Sequence, residues 1–336
     1  MMSSKLSDFV ALSEALGSNE MLVQGAGGNT SFKEGDVIWV KASGTWLAEA
    51  GSREIFVPLD LPRVRERIKN GVIESLIDLA LDGGAGLRPS IETSLHAELP
   101  HRVVLHVHSI RTLAWSVQRD CVGRLEERLR NLRWRWIPYA RPGLPLTEAV
   151  RVALSKGPLD ILVLASHGLV VGGGSCEEAQ ECLMDVERRL DLPAMERPVA
   201  DLRFLESICA GTSYTLPPKA ACHSIAFGRA RDLVAKGSLY PDHVVMLGRG
   251  VSVVGPEEAR RVLAAVRPDA PAMFAIRDRG VVVRSDLSRG ALAMCEALGL
   301  LIERIPDGVE LAYLTRAEEI ELMSWDSEKY RISLQQ

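Results

Sequence analysis

The sequence predicts an α/β protein of about two domains, and three observations carry that expectation. Its 336 residues are more than one small module needs, since a domain usually takes about 150. A composition of 47% hydrophobic and 25% charged residues excludes a disordered or collagen-like chain. Short apolar runs of strand type alternate with segments of helical period. Taken alone, that alternation points to a parallel sheet.

The elements follow in order. Leu6, Phe9, Val10, Leu12 and Leu16 lie at near-helical spacing, predicting an amphipathic helix over 5–16. The stretch QGAGGNTS (24–31) reads as a loop, Val37-Ile38-Trp39-Val40 as a strand, and Ser43-Gly44-Thr45 as a turn. Residues 61–81 read as mainly helical with a break near Asn70 and Gly71, and Gly83, Gly84 and Gly86 close the segment. A helix is expected over 91–99, a strand over Val103–Val107, a mixed and mostly helical stretch over 111–132, and a loop over 137–143. A buried strand over 160–165 and a short one over 168–171 precede a helix ending at Leu190. Ser175, with Glu178 three residues on, gives that helix a capping-box start. Pro193 and Pro198 mark a boundary, dividing the chain into 1–195 and 196–336. Beyond it, 250–259 and 279–291 repeat the strand–turn–helix shape of 167–179. Either an internal repeat or the ordinary habit of α/β chains would produce this.

Charge and composition narrow the function. Lys+Arg 40 against Asp+Glu 44 leaves a net charge of −4 with no basic run, so nucleic acid is not an expected partner. No stretch approaches the ~20 apolar residues of a membrane span, and the start lacks the basic and apolar regions of a secretory signal. Six scattered cysteines without a CxxC pair read as reduced thiols of a cytoplasmic protein.

The glycines do not make a nucleotide site. Gly25, Gly27 and Gly28 begin a dinucleotide fingerprint, but Thr30 stands where its last glycine should be, and no P-loop lysine follows. What is left is a turn in which Asn29, Thr30 and Ser31 could present donors to an anion, or a tight turn alone.

The histidines say more. His106 and His108 close an apolar run, and strand alternation puts both imidazoles on one face. His167 ends another buried strand at a turn into Gly168. Three histidines make an open zinc site with a position left for substrate; ordinary buried or surface histidines are the plainer reading. His96 and His101 lie nearby and could be mistaken for ligands. Glu92 is either an acid of the kind that favours a helix start or a carboxylate beside a metal.

In order along the chain, GGNTS, VKASGT, PSIETSLHAELP, VVLHVHS and ASHGLVVGG resemble the class II aldolase/adducin family over residues 10–195. VKASGTWLAEA, PSIETSLHAELP and YARPG resemble the aldolase portion of long rhamnulose-phosphate aldolases in particular. Those relatives carry a fused dehydrogenase module, which is not expected here because no G-x-G-x-x-G follows residue 200. The resemblance implies a three-layer α/β/α domain around a mostly antiparallel sheet, overriding the parallel pattern, plus a smaller C-terminal α/β domain. It implies His106, His108 and His167 as ligands of Zn2+ or another divalent transition metal. It implies Glu92 as the acid/base, which can also touch the metal in the resting site. Gly28, Asn29, Ser43, Gly44 and Ser90 match loops that hold a substrate phosphate, although Ile91 departs from the double serine of phosphate-specific relatives.

The implied reaction is retro-aldol cleavage of a ketose or ketose 1-phosphate through a zinc-stabilised enediolate, carried out by a homo-oligomer, commonly a tetramer. Epimerisation at C4, dehydration, decarboxylation and a non-catalytic scaffold remain alternatives. Tyr139 is a candidate second acid/base by its loop context alone. In the second domain Pro241-Asp242-His243 also occurs in the long relatives, and His243 is either substrate-facing or a helix-start residue. Arg279 stands where the repeat would place His167, and Trp325 and Tyr330 could cap the domain.

Overall fold

The computed structural model describes residues 4–71, 76–81, 86–265, 270–326 and 334. Gly83, Gly84 and Tyr330 lie outside the described residues. Contacts divide the chain into two compact units, Met1–Ser116 with Asp120–Asp191 and Val117–Arg119 with Leu192–Gln336.

The first unit opens with α1 (Ser4–Gly17) and the strands β1 (Asn29–Glu34), β2 (Val37–Lys41) and β3 (Phe56–Asp60). Next come α2 (Leu61–Lys69), α3 (Thr93–Glu98), β4 (Val103–Val107), α4 (Ile110–Ser116) and α5 (Val122–Arg128). It ends with β5 (Trp134–Ile137), α6 (Leu144–Ser155), β6 (Ile161–Leu164), β7 (Gly168–Gly173) and α7 (Cys176–Arg189). The strands form one sheet in the order β3-β2-β1-β4-β7-β6-β5. Every pairing is antiparallel except β5 with β6. The alternating pattern of the sequence therefore misleads about strand direction, because most neighbours in this sheet are not joined by a strand–helix–strand crossover.

Alternation along the strands places helices on both faces. On one side Phe9 of α1 stacks on Phe32 of β1 with ring centroids 5.7 Å apart. On the other, Val104, Leu162 and Val170 pack with Leu95 and Leu99 and with Leu146 and Val150 of α6. The expected helix over 61–81 stops at Lys69, with a short 3-10 turn at Ile77–Leu79. Ser175 caps α7 by accepting from Glu178 N at 3.2 Å, while the Glu178 carboxylate takes Gly174 N at 2.8 Å.

The largest departure is β1. Residues 29–31, read as loop, are strand: all three pair with β4, and Ser31 pairs with β2 as well. Their side chains are polar yet buried, so no apolar alternation announces them.

The second unit holds α8 (Leu202–Cys209), β8 (Tyr214–Thr215), α9 (Gly228–Val234), α10 (Pro241–Leu247), β9 (Ser252–Val254) and α11 (Pro256–Ala264). It continues with β10 (Met273–Ile276), β11 (Gly280–Arg284), α12 (Arg289–Ile302) and α13 (Arg316–Ser324). Its sheet runs β8-β11-β10-β9. This is the plan of β4-β7-β6-β5 in the first unit, with two antiparallel pairings and then a parallel one. The match extends to register. Ile137 pairs with Leu164 and Leu164 with Gly168, as Val254 pairs with Ile276 and Ile276 with Gly280. The intervening turns agree too: Ser166 has φ 51° and Asp278 φ 52°, and His167 N and Arg279 N donate to Leu164 O and Ile276 O at 3.2 and 2.9 Å. The sequence repeat is thus a repeat of topology. Carrying the register across, Leu216, Pro218 and Arg279 stand where the first unit has His106, His108 and His167.

Candidate metal centre

Strand pairing brings the three histidines together. β4 and β7 are antiparallel with His106 opposite Val170 and Val107 opposite Leu169. The β6–β7 turn that carries His167 therefore lies beside the end of β4, where His108 follows. The ring centroids are 5.0 Å apart for His106–His108, 4.9 Å for His106–His167 and 5.1 Å for His108–His167. One ligand atom from each ring lies within 4.8 Å of the others, and all three residues are buried. No other such group occurs among the described residues.

Two glycines permit this approach. A Cβ on Gly28, whose φ is +59°, would sit 2.8 Å from His106 O; one on Gly168 would sit 2.4 Å from Val107 O. Larger residues would push on the backbone of β4 at the histidines.

Glu92 completes the cluster. It occupies the N-cap of α3, yet its side chain makes no capping hydrogen bond. It is only 5% exposed, which removes the reading of a solvated helix-start acid. Its Oε2 lies 3.3 Å from His106 Nε2 and its Oε1 3.5 Å from His167 Nε2. Burial pulls its pKa upward, but the charges of His106, His167 and His108 and a hydrogen bond from Asn29 outweigh it, holding the group down at about 2. His106 Nδ1 lies 3.1 Å from Leu169 O. A carbonyl can only accept, so Nδ1 carries a proton and Nε2 is the atom turned to the cluster. Glu92 Oε1, although buried, has no hydrogen bond. Three imidazoles with an ionised carboxylate oxygen lacking a donor fit a divalent transition metal in chemistry and in convergence.

The residues matched to phosphate loops are joined around this cluster. Ser43 N donates to Arg88 O at 2.8 Å and Ser90 N to Lys41 O at 3.0 Å. Ser90 Oγ accepts from Glu92 N at 3.2 Å. Gly44 is buried at the turn with φ 76°. The Asn29 amide donates to Glu92 Oε2 at 2.7 Å and its carbonyl oxygen meets His96 Nε2. Lys41, not singled out by the sequence pattern, is a buried lysine whose ammonium donates to Ala26 O at 3.0 Å and Thr45 O at 2.7 Å, tying the glycine loop to the SGT turn. A lysine ending an otherwise apolar strand was the available signal.

Of the two neighbouring histidines, His96 lies inside the network and His101 outside it, with its Nε2 3.0 Å from Asp160 Oδ1. Tyr139 is half-buried in the loop after β5. In the second unit His243 is fully buried, accepts from Leu239 N at 3.4 Å, and is pushed by desolvation down to about 4, with a backbone hydrogen bond to Gly250 opposing. It stands in the first turn of α10, behind Pro241 and Asp242. Arg279 pairs with Asp201 at 2.8 Å and lies over the Phe204 ring.

Comparison with known proteins follows the same division of the chain. A curated relative, the "Uncharacterized oxidoreductase YuxG" of Bacillus subtilis (strain 168), is 31% identical over 185 residues, 51% of this chain and 27% of that protein. This chain thus matches little more than a quarter of that relative's length. Among solved structures, the N-terminal class II aldolase domain of a conserved protein from Thermoplasma acidophilum is 28% identical, covering 56% of this chain and 93% of that one with a TM-score of 0.49. The l-fuculose-1-phosphate aldolase of Thermus thermophilus is 17% identical over 56% of this chain and 93% of its own, with a TM-score of 0.39. The family model for the "Class II Aldolase and Adducin N-terminal domain" matches residues 7–192. The chain therefore belongs, through its first unit, to the class II aldolase and adducin family.

Proposed function

We propose that the first unit is a metal-dependent aldehyde-lyase that parts C3 from C4 of a ketose or ketose 1-phosphate. The observation that carries this is the meeting of His106, His108 and His167 around an ionised, buried Glu92 whose Oε1 has no hydrogen bond. A zinc ion, or another divalent transition metal, held by the three imidazoles would supply a Lewis acid for the ketose oxygens as charge develops on them. Glu92, ionised at rest, would remove the C3 proton of the three-carbon fragment in condensation and, carrying that proton, return it to C3 in cleavage, while a second base, for which Tyr139 is the candidate, takes the C4 hydroxyl proton as the aldehyde leaves. The joined loops of Gly28, Asn29, Ser43, Gly44 and Ser90 would bound the substrate's other end, residues 1–195 would carry the chemistry, and residues 196–336 would contribute substrate choice or assembly. Six cysteines, all unpaired, favour the reducing cytoplasm, and a homo-oligomer, commonly a tetramer, is the expected assembly.

The test joins elemental analysis to a panel of ketoses and ketose phosphates scored for aldehyde release. Stoichiometric metal and turnover of at least one member are expected, and Glu92→Gln should retain metal while losing turnover. A full-rate Glu92→Gln enzyme would defeat the acid/base assignment. A C4 epimer without aldehyde would move the reading to epimerisation, and a chain unable to acquire metal would move it to a scaffold.

A further inference from the structure

Building on the reading of Glu92 as acid/base, we propose that Ser31, His96 and Asn29 form a one-way hydrogen-bond chain that positions its carboxylate. Asn29 and Ser31 are two apart on β1 and face α3, which carries His96. Ser31 Oγ lies 2.8 Å from His96 Nδ1, His96 Nε2 meets Asn29 Oδ1, and Asn29 Nδ2 donates to Glu92 Oε2 at 2.7 Å. All four side chains are buried.

The direction of the chain follows from what each group can do. The Asn29 NH2 donates to a carboxylate oxygen, Glu92 Oε2, which accepts, and the Asn29 carbonyl oxygen faces His96 Nε2. That oxygen also only accepts, so His96 carries its proton on Nε2. Nδ1 is then bare and takes the Ser31 hydroxyl proton. Burial agrees with a neutral ring: desolvation, aided by the charges of His106 and Lys33 and opposed by Glu92, brings the His96 pKa down to about 3. Were the Asn29 amide turned over, two acceptors would face each other at Glu92. His96 thus fixes the amide's orientation, and the amide fixes Oε2.

The anchoring is firm because both ends belong to rigid elements. Asn29 is the cross-strand partner of His106, so the group that holds Glu92 is built into the strand beside a proposed ligand. His96 N donates to Glu92 O at 3.2 Å, so the far end of the chain returns to the acid's own helical turn. With Oε2 held, Oε1 is left toward His167, 3.5 Å from its Nε2. The Asn29 side chain is thereby assigned to the carboxylate, so within the joined loops the substrate's other end is left to Gly28, Ser43, Gly44 and Ser90. Residues so placed affect turnover more than binding, since a misplacement of about 1 Å can cost about 100-fold in rate.

The test uses the full chain loaded with zinc. Nitrogen chemical shifts of the His96 ring should show Nε2 protonated and Nδ1 not; the opposite tautomer overturns the chain. Asn29→Ala should lower kcat on the best ketose of the panel by about 10–100-fold, leave KM within about 2-fold, and leave the zinc content unchanged. Combined with Glu92→Gln it should add nothing, because the two act through one group. An unchanged kcat, or a loss appearing in KM alone, overturns the proposal. If Asn29→Ala fails to fold, Ser31→Ala removes only the terminal hydroxyl and should give a smaller fall in kcat with the same constant KM; an unaltered kcat there counts against the chain. A fully active Glu92→Gln would instead refute the acid/base reading, and the His96 tautomer would still decide the chain.

Discussion

Gly28→Ala isolates how the fold holds β4 against the glycine loop. Two costs are combined at this position. Its φ of +59° is left-handed, and a Cβ would stand 2.8 Å from His106 O. The first costs about 1–2 kcal/mol for an L-residue. The second requires a shift of roughly 0.5 Å in packed backbone, which as overpacking costs about 1–3 kcal/mol more. Gly35 separates the two, because its φ is +57° with nothing within 4 Å of a Cβ. Gly35→Ala should therefore lose only the first cost. Gly123, in α5, has neither penalty, so Gly123→Ala should gain about 0.5–1 kcal/mol from helix propensity. Urea denaturation of the three variants measures the series, and zinc titration should show weakened binding in Gly28→Ala alone. Equal destabilisation by Gly28→Ala and Gly35→Ala would refute the contact with His106, as would unaltered zinc affinity in Gly28→Ala.

Three further outcomes are expected. Burial, helped by the charge of Arg65, lowers Lys33 to about 7, while the unfolded chain keeps an ordinary lysine. Between these values the unfolded state binds more protons, so this group makes stability rise with pH from about 7 to about 10.5, at up to about 1.4 kcal/mol per pH unit. Urea midpoints at pH 7.5 and 9 should differ less in Lys33→Met, and an unchanged difference would count against the shift. Ser175→Ala should cost about 1 kcal/mol by uncapping α7, read from the same denaturation curves; no loss would mean the cap is not used. Zinc at about a hundred times its dissociation constant should stabilise the wild type by about 2.7 kcal/mol. His167→Ala should lose most of that gain, and retaining it would exclude His167 as a ligand.

Parts of this architecture were legible because local pattern and tertiary role coincide. Val103–Val107 is buried throughout and reads as a strand, and Ser175 and Glu178 mark the start of α7. The edge strands were not legible. β3 carries Pro58 and β5 alternates tryptophan with Arg135, the proline and charge that suit an edge and weaken a strand signal. β1 escaped because its inward side chains are Asn29 and Ser31, whose hydrogen bonds replace apolar burial. At the site, His106 and His108 follow from alternation. Their meeting with His167 depends on the register of β4 against β7, which no local window contains. The role of Glu92 comes only through resemblance. His96 reads as a decoy for a ligand, because nothing local separates a ligand from the residue that orients one.

The two matched hairpins give the protein an internal control on its own histidine. Ser166-His167-Gly168 and Asp278-Arg279-Gly280 share backbone geometry and hydrogen bonding, yet one carries an imidazole and the other a guanidinium. The turn accepts either side chain, so folding does not explain an imidazole at 167. Exchanging these two residues would separate chemistry from architecture within a single molecule: the hairpins should persist, and only the first unit's hold on metal should fail.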